Sequence, residues 1–145
     1  MQSKLVNMRH KGSISHTNLE RDEIVPLLYR KATELVEWPA DTMKICEKAA
    51  TLPVKKFYIS HDAAVEYVRH RYYHGVRKEF RSPYKQQLYD SLYDVFIRLV
   101  NNPVYSNRIL PDLVSIAIHS PAPCSGLAPF QFYCIMLRYK KKRAK

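Results

Sequence analysis

The chain has 145 residues, of which 46% are hydrophobic and 12% are aromatic. This length and composition predict one folded domain and exclude a chain that is disordered throughout. Lysine and arginine number 24 against 13 aspartates and glutamates, a net charge of +11. Because such an excess repels itself unless a polyanion is the usual partner, composition favours a nucleic acid. An acidic protein and an anionic membrane surface are the alternatives.

Cysteine content and apolar patterning favour a location in the cytoplasm. Three cysteines are too few for a disulfide framework. The N-terminal residues contain no apolar segment of the kind that directs secretion. The longest apolar-rich stretch, residues 130–137, is too short to span a bilayer, so we expect no membrane partner.

Charge and apolar spacing divide the chain into three regions. Residues 1–16 contain three basic side chains, no acidic one and no sustained apolar period, which predicts a flexible basic arm. Residues 17–140 are predicted to form a single helical domain. Residues 141–145 are basic at four of five positions and are predicted to form a tail.

Two helices are predicted in the first third of the domain. Apolar residues at helical spacing indicate a helix over residues 22–37 and another over residues 40–51. Pro39 and Pro53 end them, since the residue before a proline avoids the helical region. Pro26 is acceptable only in the first helical turn and would kink the helix elsewhere.

Capping residues mark the next two helices. Ser60 can accept a hydrogen bond from an amide at the start of a helix over residues 61–74, and Gly75 can end that helix. Ser82 has the same capping role before a helix over residues 83–100. Between the first pair of helices and the second, residues 55–59 are predicted to be extended.

Two shorter helices complete the predicted fold. Apolar spacing indicates helices over residues 111–119 and 129–140. Only three glycines are present, and few glycines suit a helical protein better than a sheet with many tight turns. We therefore predict an all-α fold, a compact bundle of five to six short helices.

Residues 42–71 and 110–139 have similar apolar patterns at an offset of 68 residues. Both read as helix, proline-containing linker and helix. The matched apolar pairs are Ile45 with Leu113, Ala49 with Ala117, Val54 with Ala122, Ile59 with Leu127, Ala64 with Phe132, and Val68 with Met136. Chance similarity is the alternative, because identities are few. A true duplication predicts two pseudo-symmetric helix–linker–helix units, bridged by the helix over residues 83–100, with basic stretches 69–81 and 138–145 in related positions.

Basic and aromatic residues are interleaved between residues 55 and 85, and basic residues recur at the C-terminus. Lysine and arginine neutralise phosphates and release counterions, and aromatic rings stack on unpaired bases. The alternative is a solvated face with tyrosines at the edge of the core. The predicted nucleic-acid-binding residues are Lys55, Lys56, Tyr58, Arg69, Arg71, Arg77, Lys78, Arg81, Lys85, Arg138, Lys140, Lys141, Lys142 and Arg143.

No arrangement of residues indicates catalysis. The consecutive residues 69–73 contain arginine, histidine and tyrosine, which tyrosine recombinases use, but those enzymes take them from distant segments. His70 and His74 share a helix face, yet no acidic or thiol partner has a recognisable metal-ligand spacing. Glycine-rich phosphate loops are also missing. We therefore expect no enzymatic activity, no metal and no cofactor.

The charge is unevenly distributed along the chain. Residues 17–47 contain seven acidic and four basic side chains, so the remaining residues carry +14. The sequence thus predicts a non-catalytic protein that binds the phosphates of RNA or DNA. Small basic helical proteins of this kind are familiar as accessory factors of phage and mobile elements, and an accessory subunit of a larger nucleic-acid enzyme is the role that we expect. The alternative is a self-assembling or protein-interaction module, in which the acidic segment 17–47 contacts a basic surface of a partner or of a second copy.

Overall fold

The computed structural model describes residues 16–144, with side chains as far as residue 141. This part of the chain contains six α-helices, one short 3-10 helix and no strand, so the predicted all-α fold is confirmed. The helices are α1 (His16–Leu35), α2 (Thr42–Ala49), α3 (His61–His74), α4 (Pro83–Val100), α5 (Leu110–Ile118) and α6 (Pro129–Ala144), with the 3-10 turn Pro103–Tyr105 after α4. None of the described helices is long and apolar enough to cross a membrane.

Helices α3 and α4 have the predicted bounds because local capping determines their ends. The Ser60 hydroxyl accepts a hydrogen bond from the Ala63 amide at 3.3 Å. The Ser82 hydroxyl accepts one from the Lys85 amide at the same distance. Gly75 ends α3 with a left-handed φ of 67°, a conformation that glycine adopts without a steric penalty.

The two outermost helices are longer than predicted. Helix α1 starts at His16, six residues before the expected start, and continues through Pro26. Val25, Leu28 and Ala32 are buried around this proline, so packing compensates for the amide that proline lacks. The predicted arm therefore ends before His16, and residues 1–15 lie outside the described residues. At the other end, α6 continues to Ala144, so the expected tail is helical there, and residue 145 is outside the description.

The helices pack as two clusters of three. Each cluster contains two helices from one half of the chain and one helix from the other half. Helices α1, α2 and α6 contact one another, and so do α3, α4 and α5. Helix α3 therefore packs on helices that follow it, and α6 on helices from the opposite end of the chain. The linkers that precede α3 and α6 cross between the clusters. At the crossing, Val54 and Ala122 each donate their amide to the other's carbonyl, with both N–O distances 3.0 Å.

The structure reproduces the 68-residue offset in the positions of its helices and of its buried side chains. Helices α2 and α5 begin at residues 42 and 110, and helices α3 and α6 at residues 61 and 129. The buried positions of α2 and the residue after it, namely Ile45, Cys46, Ala49 and Ala50, match those of α5, namely Leu113, Val114, Ala117 and Ile118. Val54 and Ala122 are also 68 apart, and their reciprocal hydrogen bonds are those expected of equivalent residues beside a twofold axis.

Helix α4 contacts α3 of the first predicted helix–linker–helix unit and α5 of the second, in agreement with the predicted bridging position. It packs on α5 and α3 in the same way that α1 packs on α2 and α6. The repeat therefore contains three helices, with α4 as the counterpart of α1. The weak amphipathic pattern around Pro26 hides this equivalence in the sequence.

The crossing linkers contribute buried side chains to the hydrophobic core. Phe57, Leu127 and Phe132 are fully buried there, and the Phe57 amide donates to the Ile118 carbonyl at 2.8 Å. The buried side chains form one continuous group that includes residues of both clusters. This shared core holds α3 and α4 in place, and with them the segment that joins the two repeats.

Candidate nucleic-acid interface

The predicted basic cluster at residues 55–85 is separated into two parts. Lys55 and Lys56 lie in the first crossing linker beside α1, where the Lys56 ammonium is 2.8 Å from the Glu20 carboxylate. The basic residues from Arg69 onward lie on α3, on the start of α4 and on the segment between them. Because the linker passes between the helix clusters, nearness along the chain does not bring these two parts together.

Residues 75–82 join α3 to α4 and are called the connector below. Side chains of α4 hold its backbone in place. The Gln86 amide oxygen accepts a hydrogen bond from the Phe80 amide at 2.7 Å. The Gln86 amide nitrogen donates to the Lys78 carbonyl and to the Asp90 carboxylate, each at 3.2 Å. The connector is thus attached to α4 at two backbone positions.

Asp90 is the centre of a polar network beneath the connector. Its carboxylate accepts hydrogen bonds from the Tyr67 hydroxyl at 2.6 Å, from Arg71 at 3.1 Å and from Arg77 at 2.6 and 3.3 Å. Partial burial alone would raise the pKa of Asp90. The hydrogen bonds from Arg77, Tyr67 and Gln86 outweigh that effect and lower this pKa to about 2.

Two predicted phosphate ligands are engaged in this network. Arg71 is half-buried, pairs with Asp90 and lies 4.2 Å from the centre of the Tyr93 ring. Arg77 binds Asp90 through two nitrogens, although 45% of its side chain stays exposed. Both guanidinium groups therefore attach the connector and α3 to α4, and the single Asp90 carboxylate neutralises one of their two positive charges.

An aromatic cluster lies next to the network. The Phe80 ring centroid is 4.5 Å from that of Tyr89 and 6.1 Å from that of Tyr67. Burial, together with the hydrogen bond to Asp90, raises the pKa of Tyr67 to about 12, so this hydroxyl remains a donor. The Lys78 and Lys85 ammonium groups lie 5.4 and 4.9 Å from the Phe80 ring centroid, within the range of cation–π attraction.

Four predicted cationic residues remain exposed on α3, on the connector and at the start of α4. Arg69, Lys78, Arg81 and Lys85 are exposed, and none of them forms an ion pair with any described residue. We call these four residues the connector surface. Glu66 and Glu79, which are also exposed, are acidic neighbours along the chain. The surface is therefore cationic with a smaller acidic component.

Tyr58 does not belong to an exposed interface. Only 5% of it is exposed, and the Lys56 ammonium lies 5.5 Å from the centre of its ring. The predicted stacking of this ring on a base is wrong, because the linker carries Phe57, Tyr58 and Ile59 into the core together. Three consecutive buried side chains break the alternation of an ordinary surface strand, so the sequence did not reveal this burial.

The C-terminal cations lie beside the acidic segment. Arg138, Lys140 and Lys141 are exposed on α6, which packs against α1 and α2. The side chains of Lys142 and Arg143 lie outside the described residues. The repeats differ in charge: residues 16–74 contain nine basic and nine acidic residues, whereas residues 75–145 contain twelve and four. The positive excess of the folded region thus comes from the connector and the second repeat.

A cavity of about 330 Å³ opens between α3, the connector and α4. Tyr67, Phe80 and Tyr89 supply aromatic walls, and Glu66, His70 and Lys78 contribute polar groups. This cavity could not be predicted from the sequence, because its walls come from three separate segments. His70 and His74 stand with ring centroids 6.1 Å apart. No group of three or more metal-binding side chains occurs among the described residues.

Comparisons with protein-family models, with curated proteins and with solved structures found no match to this chain. The interpretation of the connector surface therefore depends on its own geometry and charge.

Proposed function

We propose that this chain is a non-catalytic nucleic-acid-binding protein that contacts backbone phosphates of RNA or DNA through the connector surface. The exposed cations of α6, including Arg138 and Lys141, would supply a second phosphate-binding surface on the other helix cluster. Such a protein would act in the cytoplasm as an accessory subunit of a larger nucleic-acid enzyme, of the kind that phage and mobile elements encode.

The observation that carries the proposal is the combination of exposed cations with a backbone that is held in place. Arg69, Lys78, Arg81 and Lys85 form no ion pair within the described part of the chain. Arg77, Lys78 and Phe80 are bound to Asp90 and Gln86 of α4. Less conformational entropy is lost on binding when the segment is already ordered. Cations on such a segment suit contact with phosphates, which positions a strand without reading its sequence.

A charge-matched pair of triple variants tests the proposal. The site variant is Lys78→Gln, Arg81→Gln, Lys85→Gln. The control variant is Lys31→Gln, Lys44→Gln, Lys48→Gln, which removes three exposed charges from α1 and α2. Affinity for a labelled polynucleotide is measured by fluorescence anisotropy over a series of salt concentrations.

We expect the site variant to lose affinity. The negative slope of log K against log salt should become shallower by about 2–3, because each lost phosphate contact removes about 0.7–0.9 from its magnitude. The control should keep nearly the original slope. Equal losses in both variants would show that net charge alone matters, and salt-independent binding by the parent protein would refute phosphate contact.

Exposed apolar residues on the acidic segment support a second candidate function, a protein-interaction module. Leu27 and Trp38 are 62% and 63% exposed, and Leu19, Leu35 and Met43 are also exposed. Exposed apolar groups near acidic residues such as Glu34 and Glu37 are typical of a surface that meets a basic partner. Light scattering at low salt tests self-assembly through this segment. A monomeric mass at all concentrations would exclude it.

A further inference from the structure

Three aromatic rings line the cavity between α3, the connector and α4. Tyr67, Phe80 and Tyr89 come together with ring centroids between 4.5 and 6.1 Å apart. Tyr67 and Tyr89 are almost fully buried, whereas Phe80 is only partly covered. Partly covered aromatic rings in a concave site offer a stacking surface to a ligand ring.

The edge of the cavity carries groups that match a nucleotide. Lys78 lines the cavity, and its ammonium, like that of Lys85, lies within 5.4 Å of the Phe80 ring centroid. A base stacked near Phe80 would therefore have its flanking phosphates close to two cations. The Glu66 carboxylate, also on the lining, can accept hydrogen bonds from the amino group of a base.

Hydrogen bonds from α4 hold the connector over the cavity. Gln86 holds the backbone at Lys78 and Phe80, and Asp90 holds Arg77. These contacts keep the connector over the aromatic cluster. A site that needs no reorganisation loses little binding free energy to ordering.

We propose that this cavity accepts one unpaired nucleobase of a bound single strand. The inference rests on the proposed nucleic-acid-binding function and specifies the form of nucleic acid. A base in a duplex is already stacked and paired, so it would have to leave the helix to enter the cavity. An unpaired base can enter while its neighbouring phosphates contact the connector surface. The protein should therefore prefer single strands to duplexes.

The test compares three probes of equal length: a single strand, the duplex of the same sequence, and a single strand with abasic sites. The abasic strand keeps the phosphates and lacks bases. Binding is measured by anisotropy for the full chain and for two variants. Val76→Trp places a large side chain at the cavity lining, where Val76 is 56% exposed. Val104→Trp is the control, because Val104 is 79% exposed and lies in the 3-10 turn.

The parent protein and Val104→Trp should bind the single strand about tenfold more tightly than the duplex or the abasic strand, as one stacking contact predicts. Val76→Trp should bind all three probes with similar affinity and should keep the parent's salt dependence. Circular dichroism of both variants is the control for folding.

Other outcomes separate the two proposals. Equal binding of the three probes by the parent protein would overturn the base site and leave phosphate binding in place. An unchanged single-strand preference in Val76→Trp would also overturn it. Failure to bind any of the probes would overturn the proposed function itself.

Discussion

At the scale of single residues, Asp90 decides which cations are available. It pairs with Arg71 and Arg77 and receives the Tyr67 hydroxyl, so two of the most prominent arginines of the basic cluster have a structural role. No feature of the local sequence distinguishes Arg77 from Arg81, which is exposed and free of ion pairs within the described part of the chain. The two arginines differ because Asp90 lies on the side of α4 that Arg77 reaches.

The variant Asp90→Asn should destabilise the protein by about 1 kcal/mol, because it removes the charge that Arg71 and Arg77 share at a partly exposed site. The control is Asp94→Asn, which changes an exposed residue one turn later on the same helix. Urea unfolding at neutral pH measures the difference. Equal stability of the two variants would contradict the role given to Asp90.

The pH dependence of stability should also change in Asp90→Asn. The folded-state pKa of Asp90 is about 2, below its ordinary value of 3.8. Its ionised form therefore stabilises the fold fully above the ordinary pKa, and this contribution is lost as the pH falls through about 2. Between these pH values the parent protein should lose stability more steeply than the variant. Parallel curves of unfolding free energy against pH would argue against the lowered pKa.

Gly126 and Gly75 both have positive φ, but their surroundings differ. A Cβ at Gly126 would lie 2.6 Å from a methyl group of Leu88, whereas a Cβ at Gly75 would meet no atom within 4 Å. Gly75→Ala should cost about 1–2 kcal/mol from the left-handed conformation alone. Gly126→Ala should cost more, because Leu88 is buried and must also move. Chemical unfolding of both variants gives the comparison, and an equal loss would show that Leu88 adjusts freely.

At the scale of elements, the connector is an ordered loop because α4 supplies its hydrogen-bond partners. Gln86→Ala removes the acceptor of the Phe80 amide and the donor to the Lys78 carbonyl. We expect faster hydrogen exchange at the Phe80 amide, with little change in the middle of α4. The control Gln87→Ala, at an exposed neighbouring position, should leave the Phe80 amide protected. Unchanged protection in Gln86→Ala would mean that the aromatic contacts alone hold the connector.

Helix boundaries could be predicted from the sequence where a local capping residue determines them. In α3 and α4 the capping serine accepts a hydrogen bond from an amide three residues later. Both helices were predicted with their observed bounds. Helix α1 has no such marker at its start and passes through Pro26, so its extent depends on burial of Val25, Leu28 and Ala32 against other helices. Local signals are visible in sequence, and tertiary packing is not.

At the scale of the whole molecule, the exchange of α3 and α6 makes each half of the chain incomplete. The first half lacks α6 as the partner of α1 and α2, and its α3 lacks α4 and α5. Short helices without tertiary partners are only marginally stable in water. Residues 1–75 and 76–145, made separately, should therefore show little helical circular dichroism alone and should regain it on mixing. A monomeric, helical half would contradict the exchanged arrangement.

The sequence by itself determined the all-α class, the capped bounds of α3 and α4, the excess of positive charge and the 68-residue offset. These features depend on composition or on residues a few positions apart. Tertiary structure alone decided that α4 is the counterpart of α1, that Tyr58 is buried, and that Lys56 pairs with Glu20. It also decided that Arg69, Lys78, Arg81 and Lys85 remain exposed and that Lys78 lines an aromatic cavity. Ion pairs and buried contacts join residues distant along the chain, so only the folded chain shows which charges it uses internally and which it presents to a partner.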